Sequence, residues 1–305
     1  MFRIAAFYRF VELDTFADLR DPLHRVCREN DVVGTVLLAP EGINGTIAGS
    51  EDGVVAVLDH IRSVDPRLAE IDVKFSESLE APFVRLKIRL KKEIVSLGVG
   101  AVDTVRSTGQ RVPPEDWNSL ISDPNIVLID ARNDYEVAVG TFDGAINPAT
   151  RSFTQFPQWI ASRPELADKP RIAMFCTGGI RCEKASAYLK DQGFEDVYQL
   201  DGGILRYLET VPEEDSSWNG ECYVFDRRVS VGHGLVPGDK EICVNCNRVL
   251  GDDDRSRNGY IEGVSCPACA DSITESRRAR FAERQHQIEL ARKRGTSHLG
   301  STTHH

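Results

Sequence analysis

The sequence predicts an α/β and α+β chain of several domains: a split βαβ unit, then a doubly wound parallel sheet, then a small module built on four cysteines. Three observations carry this reading. Residues 1–92 run through apolar stretches in the order β-α-β-β-α-β. From residue 116 onward, short and fully apolar strands lead into helices. Two C-x2-C pairs follow near the C-terminal end.

The elements of the first unit follow from their periodicity. Residues 2–9 (FRIAAFYR) read as a strand, and 14–29 place Phe16, Leu19, Leu23 and Val26 at helical spacing after Asp14. GTVLLAPEGINGTIAGS (34–50) gives two apolar runs about a Pro/Gly/Asn turn, a hairpin pattern. Residues 51–63 read as a second helix and FVRLKIRL (83–90) as the last strand, which completes a ferredoxin-like order. Period-two alternation puts Arg85, Lys87 and Arg89 on one face of that strand, a candidate basic surface for an anionic partner.

Residues 93–115 read as a linker rich in Gly and Pro. In 116–215, NIVLID (125–130) and RIAMFC (171–176) are buried-strand patterns ending in an acid and a cysteine. EKASAYLKDQG (183–193) reads as a helix and DVYQLDGG (196–203) as a strand and turn. Strands alternating with helices imply a parallel sheet with function at its carboxyl edge, where Cys176 falls. Residues 216–294 read as a Cys-rich module with a basic helix bearing Arg277 and Arg278, a second candidate surface for that anionic partner, and 295–305 read as a disordered tail.

Composition bounds the function. The 305 residues carry a net charge of −10, which argues against indiscriminate nucleic-acid binding but permits local basic patches, each equally readable as solvated surface. No apolar run is long enough to span a membrane, and arginines interrupt the N-terminal stretch where a signal peptide needs an apolar core, so the expected compartment is the cytoplasm. Eight cysteines are too few for a disulfide framework and fit a reducing environment.

CTGGIRCEK (176–184) carries the chemistry. Cys176 precedes a glycine-rich turn (Thr177, Gly178, Gly179, Ile180) that runs into a helix, with Arg181 and Cys182 at its start. Backbone N–H groups, the helix N-terminus and the Arg181 charge would stabilise a thiolate or an anionic adduct on sulfur. Cys182 is either a resolving thiol or a packing residue. The C-x4-R spacing is one residue tighter than the C-x5-R of cysteine phosphatases. Cys243, Cys246, Cys266 and Cys269 make C-x2-C-x19-C-x2-C, a tetrahedral zinc pattern with no open position and therefore structural. No GxGxxG, Walker A or iron-type His-x-Asp/Glu arrangement occurs, so no flavin, haem or NAD motif is found.

CTGGIRCEKA, LIDARNDYEVAVGTFDGAINP (128–148) and VYQLDGGI (197–204) resemble a rhodanese-like domain. APEGINGT (39–46), KEIVSLG (92–98) and GECYVFDRRV (220–229) extend the resemblance to the bacterial tRNA uridine(34) hydroxylase family. The resemblance implies a rhodanese-like central domain after an acylphosphatase-like N-terminal one. It implies Cys176 as the active-site cysteine in its 177–181 cradle, with Asp130 and Arg132 supporting. The implied reaction is oxygen-dependent hydroxylation of the wobble uridine at C5, with molecular oxygen as co-substrate and a tRNA anticodon loop as partner. Two thiol mechanisms stay open, addition of Cys176 to C6 or oxygen carriage as a sulfenate. Tyr198, Phe142, Phe153 and Trp159 are either stacking partners for splayed bases or core residues. The alternative activity is a sulfurtransferase with a persulfide on Cys176; a non-enzymatic RNA binder would have no need of an activated thiol.

Overall fold

The structure, a computed structural model, describes residues 1–295 except 101, 105, 106 and 252. The tail expected at the C-terminus thus lies, from 296 on, outside the described residues.

Alternation along the first strand sets the N-terminal architecture. In β1 (Phe2–Phe10), Ala5 and Phe7 enter a core with α1 (Arg20–Glu29) and α2 (Glu51–Val64). The hairpin β2 (Val33–Ala39) and β3 (Gly42–Gly49) alternates in the same way, with Val36, Leu38, Ile43 and Ile47 on the helix side. Asn44 and Thr46 therefore belong to the opposite, helix-free face. With β4 (Asp72–Ser78) and β5 (Leu86–Leu90) at its edges, the sheet order is β4-β1-β3-β2-β5. One expectation is corrected here. The fourth strand of the split βαβ is β4 (Asp72–Ser78), antiparallel to β1, whereas β5 (Leu86–Leu90) is an added fifth strand parallel to β2 at the other edge. DVKFSES offers only Val73 and Phe75 between polar residues, so its strand pattern is weak in sequence. Ile88 of β5 faces the core, which leaves Lys87 and Arg89 on the helix-free face.

Within the segment read as linker, Ile94 and Leu97 are buried and β6 (Gln110–Val112) forms the edge of the central sheet. The chain continues through α3 (Pro114–Ile121), β7 (Ile126–Asp130), α4 (Asp134–Val137), β8 (Gly140–Phe142) and α5 (Phe156–Ala161). It then forms β9 (Arg171–Phe175), α6 (Ile180–Asp191), β10 (Val197–Leu200) and α7 (Gly203–Thr210). The order β6-β10-β9-β7 is parallel throughout. Ile172 and Met174 pack on one face with Phe156 of α5 and Ala185 and Leu189 of α6; Ala173 and Phe175 pack on the other with Trp117 of α3 and Ile204 and Tyr207 of α7. Two helix layers on a parallel sheet make this the doubly wound, rhodanese-like unit that the sequence predicts.

The remaining strands are short: β11 (Trp218–Gly220) pairs with β8, and β12 (Cys222–Tyr223) with β13 (Ser230–Val231). The loop between β12 and β13 reaches the N-terminal unit, where Arg228 donates to Ser76 Oγ at 2.9 Å and the Arg227 N–H to Pro82 O at 3.1 Å. The cysteine module and α8 (Glu275–Lys293) complete the described chain. Among the described residues no helix is long and apolar enough to cross a membrane.

Candidate active site and metal centre

The apolar run of β9 ends at Cys176 because its neighbours in the turn are small and polar. Gly179 adopts φ 98°, and its N–H donates to Cys176 Sγ at 3.2 Å. A Cβ at Gly179 would lie 2.9 Å from Tyr8 Oη, so glycine is required there for backbone conformation and for the approach of β1. The loop is held from behind by α7: the N–H groups of Ile204 and Leu205 donate to the carbonyls of Cys176 and Thr177, each at 3.0 Å. A Cβ on Gly203 would sit 2.5 Å from Cys176 O, which explains the double glycine of VYQLDGGI.

Charge is arranged in two buried layers. Arg181 makes a bidentate pair with Glu136 at 2.7 and 2.6 Å, and the same carboxylate accepts the Asn133 N–H at 3.1 Å, which ties α4 to the cysteine loop. Beneath it, Asp130 and Arg132 are fully buried and paired at 2.6 Å. Arg132 also donates to Gly140 O, and Thr141 Oγ1 to Asp130. This second pair braces the end of β7 against β8.

Burial pushes the Cys176 thiol up, but the Cys182 thiol as donor, the Arg181 charge and the N–H groups of Cys182 and Arg181 outweigh it, bringing the pKa down to about 6. Cys182, buried beside a thiolate, is pushed well above the usual thiol range and stays protonated.

Cys176 forms part of the wall of a cavity of about 420 Å³. The helix-free face of the N-terminal sheet contributes Tyr8, Asn44, Thr46 and Lys74, α4 and its cap contribute Asn133 and Tyr135, and the β12–β13 loop contributes Phe225. Phe225 is 62% exposed at the rim and packs edge-on with Tyr223, which packs edge-on with Tyr135. Of the aromatic residues singled out from the sequence, Phe153 lines this cavity. Phe142 and Trp159 are core, and Tyr198 lies beneath Arg171 instead.

Family-model matches fall on two segments, a "UPF0176 acylphosphatase like domain" over residues 2–94 and a "Rhodanese-like domain" over residues 113–210. The chain is 53% identical to the tRNA uridine(34) hydroxylase of Acaryochloris marina, with 98% of this chain and 96% of that protein covered. It is 54% identical to the protein of the same name from Agrobacterium fabrum, with 98% and 95% covered. The chain belongs to the tRNA uridine(34) hydroxylase family. Among solved structures, a rhodanese-like domain protein from Staphylococcus aureus is similar over 32% of this chain and 90% of its own, at 22% identity and a TM-score of 0.27.

The family-specific segments have structural roles that sequence reasoning did not supply. Glu41 of APEGINGT and Glu93 of KEIVSLG both accept from Lys184, at 2.7 and 2.5 Å, and Val95 O accepts from it at 2.9 Å. Lys184 is buried, two residues past Cys182 on α6. Its neighbour Glu183 accepts from Tyr8 Oη at 3.4 Å and from Gln199 Nε2 at 3.2 Å, and pairs with Arg111 at 2.5 Å. The pair Glu183–Lys184 thus fastens the N-terminal sheet over Cys176. The only sequence signal was a lysine and a glutamate facing the buried side of a short helix.

In this tRNA uridine(34) hydroxylase family member the four cysteine sulfurs lie within 4.8 Å of one another. The separations Cys243–Cys269, Cys246–Cys266 and Cys266–Cys269 are 3.7, 3.6 and 3.8 Å. Tetrahedral thiolates about 2.3 Å from a metal are about 3.8 Å apart, so this sulfur set fits one ion. Arg277 and Arg278 donate to Asn245 O and Ala270 O, each at 2.8 Å, and so strap α8 onto this module. Arg85 and Lys87 line a separate groove of about 720 Å³ with Phe281 and Arg284 of α8. That groove shares Phe225 and Asp226 with the Cys176 cavity. Burial and the nearby charges of Arg85 and Arg89 lower the Lys87 pKa.

Proposed function

We propose that this protein hydroxylates the wobble uridine of tRNA at C5, with Cys176 as the catalytic thiolate. The observation that carries the reading is a thiolate of pKa about 6 in a cavity of nucleoside-accommodating size, in a chain more than half identical to tRNA uridine(34) hydroxylases over nearly its whole length. The anticodon loop is the part of tRNA that presents an unpaired base to such a cavity. The groove lined by Arg85, Lys87 and Arg284 leads to the same rim and would hold flanking phosphates. Arg89 extends this charge along β5. Arg277 and Arg278 act through the placement of α8.

In this reading the thiolate donates its electron pair to C6 of the uracil, and the C5–C6 π pair moves onto C5 and O4. The enriched C5 then takes one oxygen atom from dioxygen. Loss of the C5 proton and departure of the sulfur from C6 restore the ring. The second oxygen leaves as water, with two protons and two electrons from an external reductant. Arg181 and Cys182 hold the sulfur anionic between turnovers, and Asp130 and Arg132 keep the loop rigid. The four-cysteine site would hold zinc in a structural role, closed to substrate. Free thiols and tRNA together fit the cytoplasm.

Mass spectrometry of nucleosides from tRNA incubated with oxygen and a reductant tests the reading. The expected result is a gain of one oxygen on the wobble uridine, abolished in Cys176→Ser. No gain, together with cyanide-cleavable sulfur on Cys176, would replace hydroxylation with sulfur transfer.

A further inference from the structure

We infer that Phe225 is a stacking platform for the nucleotide next to the wobble uridine, which it keeps out of the Cys176 cavity while the uracil enters. This rests on the proposed tRNA substrate and names the residue that parts the reacting base from its neighbour.

Phe225 stands where two cavities meet. It lines both the Cys176 cavity and the groove that holds Arg85 and Lys87. Its ring is largely exposed, whereas Tyr223, on which it packs, is buried. That contact is edge to face, with centroids 5.2 Å apart at 75°, so it covers one face of the Phe225 ring at most. A lone exposed aromatic is ordinary on a protein surface. This one differs in having a fixed seat. The Val224 N–H donates to Val229 O at 2.8 Å and closes the loop. Val229 takes φ 64°, a conformation unfavourable for a β-branched residue, which persists only where the surroundings impose it. Asp226 and Arg228, whose side chains are 3% and 8% exposed, pair at 2.6 Å, and Arg228 ties the loop to Ser76 as the Arg227 N–H ties it to Pro82. A ring that is both exposed and held in place loses little freedom when a ligand covers it.

The chemistry of the groove identifies the occupant. Phe83 and Phe281 add aromatic surface beside Phe225, and Arg85, Lys87 and Arg284 supply cations. The two carboxylates that line it are already paired, Asp226 with Arg228 and Glu241 with Arg255. Rings interleaved with cations suit single-stranded nucleic acid, since the rings stack on bases and the cations track the backbone. The groove meets the Cys176 cavity at Phe225 and Asp226. A strand lying in it therefore passes one base to the thiolate as the adjacent base reaches the Phe225 ring. Drawing the uridine out of the stack uncovers a face of that neighbour, and Phe225 covers it again.

The test uses the full-length protein and anticodon stem-loop RNAs with a wobble uridine, either intact or with an abasic site directly before or directly after it. Dissociation constants are measured by fluorescence anisotropy for the wild type, Phe225→Leu and Phe225→Trp, with thermal melting as the check on folding. For the wild type, one of the two abasic RNAs is expected to bind about 5- to 150-fold more weakly than the intact one. Phe225→Leu should lose a similar factor on intact RNA and almost nothing further on that abasic RNA, because the ring and the base act as a pair. Phe225→Trp restores an aromatic face and should bind within a few-fold of the wild type. Wild-type affinity in Phe225→Leu, or an equal loss on the intact and both abasic RNAs, overturns the assignment. If Phe225→Leu does not fold, the other two proteins decide: no penalty at either abasic position, or a large loss in folded Phe225→Trp, also overturns it. Failure of the wild type to oxidise the wobble uridine overturns the proposed function instead, and the affinities still decide the role of Phe225.

Discussion

Cys176 shows how much a single side chain owes to its surroundings. A thiol buried in apolar packing would be inert, as the upward shift of Cys27 to about 12 illustrates. Cys176 is equally buried, yet donors converge on it and bring it to about 6. Since the thiolate is the form populated above that pKa, alkylation of Cys176 should be near its plateau at pH 7.5 and fall as the pH drops through about 6. An ordinary cysteine loses reactivity below about 8.5. Replacing the donor in Cys182→Ala should move the midpoint upward, and mass spectrometry of iodoacetamide-labelled peptides across pH measures both. A midpoint unchanged in the variant would assign the shift to Arg181 and the backbone instead.

Helix α6 joins catalysis to architecture at the scale of one element. Its first turn carries Arg181 and Cys182 toward the thiolate, and the next residues, Glu183 and Lys184, hold β1, the β2–β3 hairpin and the segment after β5. Lys184 is buried, whereas Glu41 and Glu93 keep about a quarter of their side-chain surface. Removing the lysine leaves two carboxylates that water can partly reach, so the penalty falls below that of a fully buried broken pair. Lys184→Met should therefore cost about 1–3 kcal/mol in urea denaturation. It should also lower kcat/KM, because Tyr8 and Asn44 lose their fixed seat over the cavity. Wild-type kinetics in a destabilised Lys184→Met would mean that the N-terminal sheet stays in place without the pin.

Across the whole molecule, three family-specific segments far apart in the chain meet at one cavity. APEGINGT supplies Asn44, KEIVSLG supplies Val95 and Ser96, and GECYVFDRRV supplies Phe225, Asp226 and Arg228 to its wall, while Glu41 and Glu93 of the first two hold Lys184. The Arg228 side chain, 8% exposed, is paired with Asp226 at 2.6 Å and bonded to Ser76 of β4, so the wall is fixed to the N-terminal sheet. The cysteine module bounds the neighbouring groove, where Ile242 and Val244 flank Cys243. One equivalent of bound metal per chain is expected by elemental analysis, lost in Cys266→Ser. Chelation should loosen this module and weaken RNA binding while leaving Cys176 alkylation unchanged. A chain whose four thiols react freely as purified would refute the metal assignment.

The sequence by itself determined what short-range chemistry encodes. The strand ending in Cys176, the glycine turn, the helix behind it and the spacing of Cys243, Cys246, Cys266 and Cys269 are all written in consecutive residues. The same holds for the facing of Lys87 and Arg89, since period two fixes which side chains share a face. It does not fix which edge a strand joins, because pairing is made with residues far away in the chain. That is why 83–90 read as the fourth strand and Asp72–Ser78 took that place. The same reason hid Tyr8, Asn44, Asn133 and Lys184. A tyrosine in a strand or a lysine in a helix has no function until another segment meets it, and only the tertiary structure decided that these four would meet around Cys176.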